Sequence, residues 1–331
     1  MTSSPHDSER PLRVVSVSTG SSRRDATVEL ELLGRRVRLE RRGTDGDLRA
    51  AAHSYEELAD HVDAFGMGGT DLRLHVAGRS YTFRESARLA RHAGATPVVC
   101  GAGLKATLEP RAVELLDAAI GWADRRMLVT SAVDRWGMAE ALHAHGAKLV
   151  LGDLAFLLGV PILPRELATM ARTAQVLAPL VTRLPMAWIY PTGTKQDAPA
   201  ATSWRSRRIA DADGVAGDFH LLARFAPPDL SGKIVLTNTT TAGDLRDLAA
   251  RGVRYVATTT PRIDGRSLPT NLLEAAFVAV AGRERHPLPL SDLAAMVAEA
   301  GLAPDLWGRA PDGTLVRTDP ADAGGTPTRP G

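Results

Sequence analysis

Short apolar runs alternate with stretches of helical periodicity along most of the chain. Val14–Ser18 is a compact apolar run with the character of a strand. Thr27–Leu33 and Arg35–Glu40 alternate apolar with polar positions about Leu33-Gly34, which predicts a hairpin. Ser54 and Glu57 form a capping-box pattern that opens a helix over Tyr55–Val62. Ala64–Met67 reads as a strand ending in Gly68-Gly69, and Leu72–Val76 with Ser80–Phe83 as a second hairpin about Ala77-Gly78. Arg84–His92 is helical, Thr96–Cys100 a strand, and Leu104–Trp122 a long helix.

Farther along the pattern is more regular. Met127–Thr130, Asp134–His145 and Ala147–Leu151 form a strand, a helix and a strand; Leu154–Leu184 is helical with breaks near Pro161 and Pro164. Pro191–Asp213 is polar and reads as a loop, followed by a strand over Gly214–Phe219. Lys233–Asn238, Ala242–Arg251 and Val253–Thr258 repeat the strand–helix–strand unit, and Asn271–Ala281 and Leu290–Ala300 are closing helices. Repeated units of this kind predict an α/β fold, a Rossmann-like parallel sheet or sheets flanked by helices, preceded by a mixed α/β N-terminal domain containing hairpins. The expected division is a mixed domain over 12–123, where a substrate would sit, and a Rossmann-like domain over 124–308. Residues 1–11 and 309–331, rich in Ser, Pro, Gly, Asp and Thr, read as loose tails.

The composition narrows the function classes. With 331 residues, 44% hydrophobic and 24% charged, the chain is globular and large enough for two domains. Its 40 Lys plus Arg against 38 Asp plus Glu leave a net charge of +2, which gives no electrostatic footprint for nucleic acid or an anionic membrane. The single cysteine, Cys100, forms no intrachain disulfide and fits a reducing compartment. The first residues lack the apolar core of a secretory signal, and no apolar run has the length of a membrane span. The expectation is a cytoplasmic protein with a small-molecule partner, with a homodimer left open. No metal-ligand pattern, phosphate-binding P-loop or nucleophile elbow occurs.

Several strand ends carry groups suited to chemistry. Val129–Thr130 runs through Ser131, Arg135 and Gly137 into a helix, and Asp153 ends the next strand. In dinucleotide-binding folds such a turn offers backbone N–H groups to a pyrophosphate, and an acid about 20 residues on takes the ribose hydroxyls. Ser131 and Arg135 stand where glycine is usual, so an ordinary sheet crossover with Asp153 as a helix cap is the alternative. Asn238 and Thr239 follow another strand, where hydroxyl and amide groups suit a nicotinamide, a ribose or a substrate, or simply cap a helix. Asp218 could serve as acid or base and His220 could carry a proton near neutral pH, with a purely structural Asp-x-His pair as the alternative. Ser16 and Ser18, followed by Arg23 and Arg24, suit a carboxylate, a polyol or a phosphate, because guanidinium bonds such groups in pairs. Asp71 follows Gly68-Gly69 and faces a cleft in this reading. Lys105 lies on the first turn of a helix, where the dipole favours acids, so it is read either as a residue that orients a hydroxyl or shares the proton of a carboxylate, or as a solvated surface lysine.

Ser16-Val17-Ser18-Thr19-Gly20-Ser21-Ser22-Arg23-Arg24-Asp25, Gly43–Asp47, Ser131–Leu142 and Leu236–Thr241 together resemble the bacterial family labelled quinate 5-dehydrogenase, over roughly residues 12–282. The resemblance implies NAD- or NADP-dependent oxidation of quinate to 3-dehydroquinate. It further implies, by analogy with shikimate and quinate dehydrogenases, a Ser-x-Ser substrate motif at Ser16 and Ser18 and a catalytic lysine–aspartate pair. Lys105 with Asp71 or Asp218 would move the hydroxyl proton; Arg23 and His220 would assist the substrate; and Ser131, Arg135, Gly137, Asp153, Asn238 and Thr239 would hold the cofactor. The glycine-rich Gly-Ala-Gly-Gly loop of those enzymes is missing here. A small-ligand-binding or regulatory protein with Rossmann-like lobes and no redox chemistry is the competing expectation.

Overall fold

The computed structural model describes residues 10–185, 204–260, 262–263 and 266–319. Within them the chain divides into two compact units, one drawn from 10–107, 173–185 and 268–302 and the other from 108–172, 204–267 apart from 261 and 264–265, and 303–319. The sequence suggested a single boundary at 123/124. The chain instead leaves the first unit within helix Ala102–Ile120 and returns to it twice. A local composition shift does not reveal segments that rejoin a core from far along the chain.

In the first unit, β1 (Leu12–Ser18), β2 (Ala26–Leu32), β3 (Arg35–Gly43), β4 (Ala64–Gly68) and β7 (Val98–Val99) form a sheet in the order β2-β3-β1-β4-β7. β1 runs parallel to β3 and β4, β4 parallel to β7, and β2 closes one edge antiparallel to β3. The β2–β3 turn places Leu33 (φ 50°) and Gly34 (φ 73°) in the left-handed region, the geometry a two-residue hairpin needs. β5 (Arg73–Val76) and β6 (Arg79–Thr82) make the second expected hairpin. One sheet face buries Val15, Val17, Phe65 and Met67 with Tyr55, Leu58 and Leu89; the Tyr55 and Phe65 rings meet edge to face at 5.0 Å.

The helix expected over Tyr55–Val62 spans Leu48–Leu58. Asp47 caps it, accepting from the Arg49 and Ala50 amides at 2.8 and 3.1 Å, whereas Ser54 lies inside and donates to the Ala50 carbonyl at 2.9 Å. Helix Thr270–Ala281 packs on β1 and β4, and the strand glycines permit it: a Cβ at Gly66 would stand 2.8 Å from the Asn271 carbonyl oxygen.

In the second unit, β8 (Arg126–Val129), β9 (Lys148–Leu151), β10 (Gly214–Gly217), β11 (Ile234–Thr237) and β12 (Tyr255–Thr258) are parallel neighbours. β13 (Asp305–Arg309) and β14 (Leu315–Thr318) extend the sheet antiparallel, giving the order β14-β13-β12-β11-β10-β8-β9. Leu128, Val215, Val235 and Val256 pack on one face with Phe156, Ile209, Leu222, Phe225, Leu248 and Trp307. The fold is therefore α/β, with parallel strands flanked by helices.

Two expectations are corrected here. Residues 309–319 are not part of a loose tail: the Asp312-Gly313 turn (Gly313 φ 87°), with Asp312 accepting from the Thr314 amide at 2.9 Å, folds β14 back onto β13. Within the stretch read as a loop, Trp204–Ala210 is a helix, because Ile209 and Ser206 are buried and Arg205 donates to the Ala155 carbonyl at 2.7 Å. Residues 191–203 of that loop and the tail residues 1–9 and 320–331 lie outside the described residues. Among the described residues no helix is long and apolar enough to cross a membrane.

Candidate functional site

The carboxyl ends of parallel strands gather side chains from segments remote in sequence. In the first unit the register puts Ser18 level with Gly43 on one side and Gly68 on the other. A side chain at position 68 would collide with Ser18, since a Cβ there would lie 2.9 Å from the Ser18 Cβ. Ser16 and Ser18 are buried. Ser16 Oγ accepts from Asn271 Nδ2 at 2.6 Å, and Ser18 Oγ accepts from Arg41 Nη2 at 3.0 Å and from the Gly20 amide at 3.1 Å. Thr19, next in line, is buried and its hydroxyl has no hydrogen-bond partner among the described residues.

The guanidinium that meets Ser18 on this rim is that of Arg41. Arg41 Nη1 also donates to the Ser21 carbonyl (2.9 Å) and to Asp25 (2.8 Å). Arg23 sits exposed on the short helix Ser22–Arg24, so the structure gives Arg41 the contact expected of Arg23. The reason is geometric: a β3 side chain one strand away reaches across the register, while Arg23 points off the Ser22–Arg24 turn and only Arg24 reaches back toward Gly20, its Nη2 3.5 Å from where a Cβ at Gly20 would stand.

Beyond β4 and β7 on the same edge, Lys105 Nζ meets Asp71 Oδ1 at 3.1 Å, with both residues more than nine-tenths buried. Lys105 lies on the first turn of helix Ala102–Ile120, its amide bonded to the Gly101 carbonyl at 2.8 Å. Asp71 follows the Gly68–Thr70 loop, where Thr70 Oγ1 lies 3.2 Å from Ser86 Oγ. Close by, burial pushes the Cys100 thiol up to about 12, with the Asp71 and Glu274 charges adding to the shift. Glu274 accepts from the Leu104 amide at 3.1 Å, and burial raises its carboxyl to about 7.

In the second unit the turn after β8 is arranged differently from a dinucleotide site. Asp153 Oδ1 accepts from the Val133 amide at 2.8 Å and Oδ2 from the Ala132 amide at 3.0 Å. The protein's own carboxylate therefore occupies the N–H groups that a pyrophosphate would need, and as arranged the turn does not fit one. Asp153 is buried, and burial raises its carboxyl to about 7 despite those hydrogen bonds. Arg135, 1% exposed, forms an ion pair with the fully buried Glu109 and lies 3.5 Å from Asp218. Gly137 is the second residue of helix Trp136–Ala144 and half-buried.

Asp218 also caps helix Phe219–Phe225, accepting from the His220 amide at 2.8 Å, and accepts from Asn238 Nδ2 at 3.2 Å. Of the two carboxylates considered for Lys105, Asp71 is the one that pairs with it. His220 is exposed on the first turn of its helix. Asn238 is tied to the Phe219 amide (3.4 Å) and the Thr237 hydroxyl (3.2 Å), and Thr239 is half-buried beside it. Ser131 Oγ, Thr240 Oγ1 and Thr259 Oγ1 are buried without hydrogen-bond partners among the described residues.

Arg41, Asn271 and Glu109 are the residues that sequence reasoning missed. Arg41 carried only the signal of an alternating strand; Asn271 and Glu109 act on partners 255 and 26 residues away.

The family described as Domain of unknown function (DUF8754) matches residues 103–307. The chain belongs to this family. A second family, described as Domain of unknown function (DUF8753), matches residues 13–100. In this DUF8754 protein the Lys105–Asp71 contact thus joins a residue of one match to a residue of the other. No curated protein matches the sequence. Among solved structures, a sugar ABC transport substrate-binding protein from Bordetella parapertussis 12822 aligns at TM-score 0.34 and 14% identity over 85% of this chain and 82% of its own. A dipicolinate synthase chain from Bacillus halodurans aligns at TM-score 0.28 and 14% identity, covering 82% and 96%. Phosphoglycerate oxidoreductase from Vibrio cholerae o395 aligns at TM-score 0.30 and 11% identity, covering 88% and 99%.

Proposed function

We propose that the chain binds a small hydroxylated carboxylic acid on the strand-end rim of its first unit, and that it does so without redox chemistry. The observation that carries this reading is the buried Lys105–Asp71 pair at 3.1 Å. A lysine ammonium carries three donors and a carboxylate several lone pairs, so the two can serve a ligand's carboxylate and hydroxyls as well as each other. The unpartnered Thr19 hydroxyl and the Arg41 guanidinium on Ser18 extend the same rim with groups of that chemistry. The occupation of the Ala132 and Val133 amides by Asp153 argues against a diphosphate in the second unit. Quinate, the substrate implied by the quinate 5-dehydrogenase resemblance, is the natural probe.

A second reading is the NAD(P)-dependent oxidation that the same resemblance implies. The Lys105–Asp71 contact favours it as well, because a buried lysine–carboxylate pair can take up the proton of a hydroxyl. Calorimetric titration with quinate separates a working site from a structural ion pair. The wild type is expected to bind at about 1 mM or tighter, and Lys105→Ala and Asp71→Asn to bind at least about tenfold more weakly. Unchanged affinity in both folded variants would remove the pair from the site.

A further inference from the structure

A cavity of about 120 Å³ lies in the first unit, and Lys105 and Asp71 are not among its lining residues. Leu72, Val98, Val99, Val278, Leu288 and Leu293 supply apolar wall. Arg73, His75, His286 and Glu274 supply the polar part.

The polar groups converge. The Arg73 charge acts on His75, His286 and Glu274 alike, which places its guanidinium within electrostatic reach of all three. Burial and that charge hold both imidazoles below their ordinary pKa, so each is neutral at pH 7 and offers one N–H. His286 Nδ1 is buried with no hydrogen-bond partner among the described residues. Glu274 accepts from the Leu104 amide at 3.1 Å, and burial raises its carboxyl to about 7, so it opposes a bound anion less than an ordinary carboxylate would. One guanidinium and two neutral imidazoles, each able to present an N–H, favour an anionic head. An apolar cavity of roughly 150 Å³ accommodates benzene, so this one takes a slightly smaller body.

We propose that this cavity is an accessory site for a short branched-chain monocarboxylate, its head on Arg73 and the two histidines and its alkyl body among the valine and leucine side chains. The site does not depend on the reading of the Lys105–Asp71 rim.

The test uses the full chain and three ligands of one shape, isovalerate, isovaleramide and isoamylamine, followed by calorimetry and thermal shift. Isovalerate is expected to bind at about 1 mM or tighter and to raise the melting temperature, with the amide and the amine at least about tenfold weaker. Arg73 is exposed at the mouth, so Arg73→Leu is expected to fold and to weaken isovalerate at least about tenfold, with Arg73→Lys in between. Quinate affinity is expected to stay the same in Arg73→Leu, which keeps failure here distinct from failure at the rim. Equal or tighter binding of the amide or the amine, no isovalerate binding by about 10 mM, or an unaltered affinity in Arg73→Leu would overturn the assignment.

Discussion

Asp153 holds two backbone amides in a buried turn, and this single side chain decides how the second unit is read. Burial raises its carboxyl from the ordinary 3.8 to about 7, so the folded chain binds that proton more tightly than the unfolded chain. Its contribution to stability is complete below about pH 4 and is lost as the pH rises to about 7. Glu274 acts over the same window, from 4.5 to about 7. Asp153→Asn is therefore expected to flatten the fall in unfolding free energy between about pH 4 and 7, by up to about 4 kcal/mol; urea denaturation across that range measures it. The Arg135–Glu109 pair behaves differently, because removal of one partner strands a buried charge. Arg135→Met is expected to destabilise by about 3–5 kcal/mol, and Glu109→Leu with Arg135→Met to recover most of that loss, in a double-mutant cycle read by the same denaturation.

At the scale of elements, helix Thr270–Ala281 lies close on β4 because Gly66 has no side chain. Gly66→Ala is expected to cost about 1–3 kcal/mol, since the new methyl group would meet the Asn271 carbonyl oxygen at 2.8 Å. Gly243→Ala, in helix Ala242–Ala250 with 3.5 Å to the nearest atom, is expected to be neutral or to stabilise by up to about 1 kcal/mol. Thermal melts of the two variants make the comparison.

The β–α alternation from Val14 to Ala300 was legible because each strand and helix carries its own period, and the Leu33-Gly34 and Ala77-Gly78 turns were legible because both need left-handed backbone. The early start at Leu48 was obscured by a second capping pattern at Ser54 inside the helix, and β13–β14 by the polar composition around them. The Lys105–Asp71 contact was half legible. The dipole argument singled out Lys105, but which acid meets it depends on how β4 and helix Ala102–Ile120 leave the sheet edge, which no local pattern records.

For the molecule as a whole, two parallel-stranded units present polar strand ends of opposite design. The first offers a lysine–carboxylate pair and an unpartnered threonine hydroxyl; the second closes its helix-tip amides with an internal carboxylate. The near-neutral charge of +2 adds no long-range attraction for anions, so the proposed recognition of a carboxylate would rest on these local groups. The central claim is that a hydroxylated carboxylate binds while the second unit's turn excludes a diphosphate. Calorimetric titration of the wild type with quinate, NADH and NADPH, each alone and then together, tests it most directly. Quinate is expected to bind at about 1 mM or tighter whether or not a dinucleotide is present, and neither dinucleotide to bind below about 1 mM. Micromolar binding of NADH or NADPH, with quinate binding only in its presence, would contradict this account and establish the oxidoreductase reading in its place.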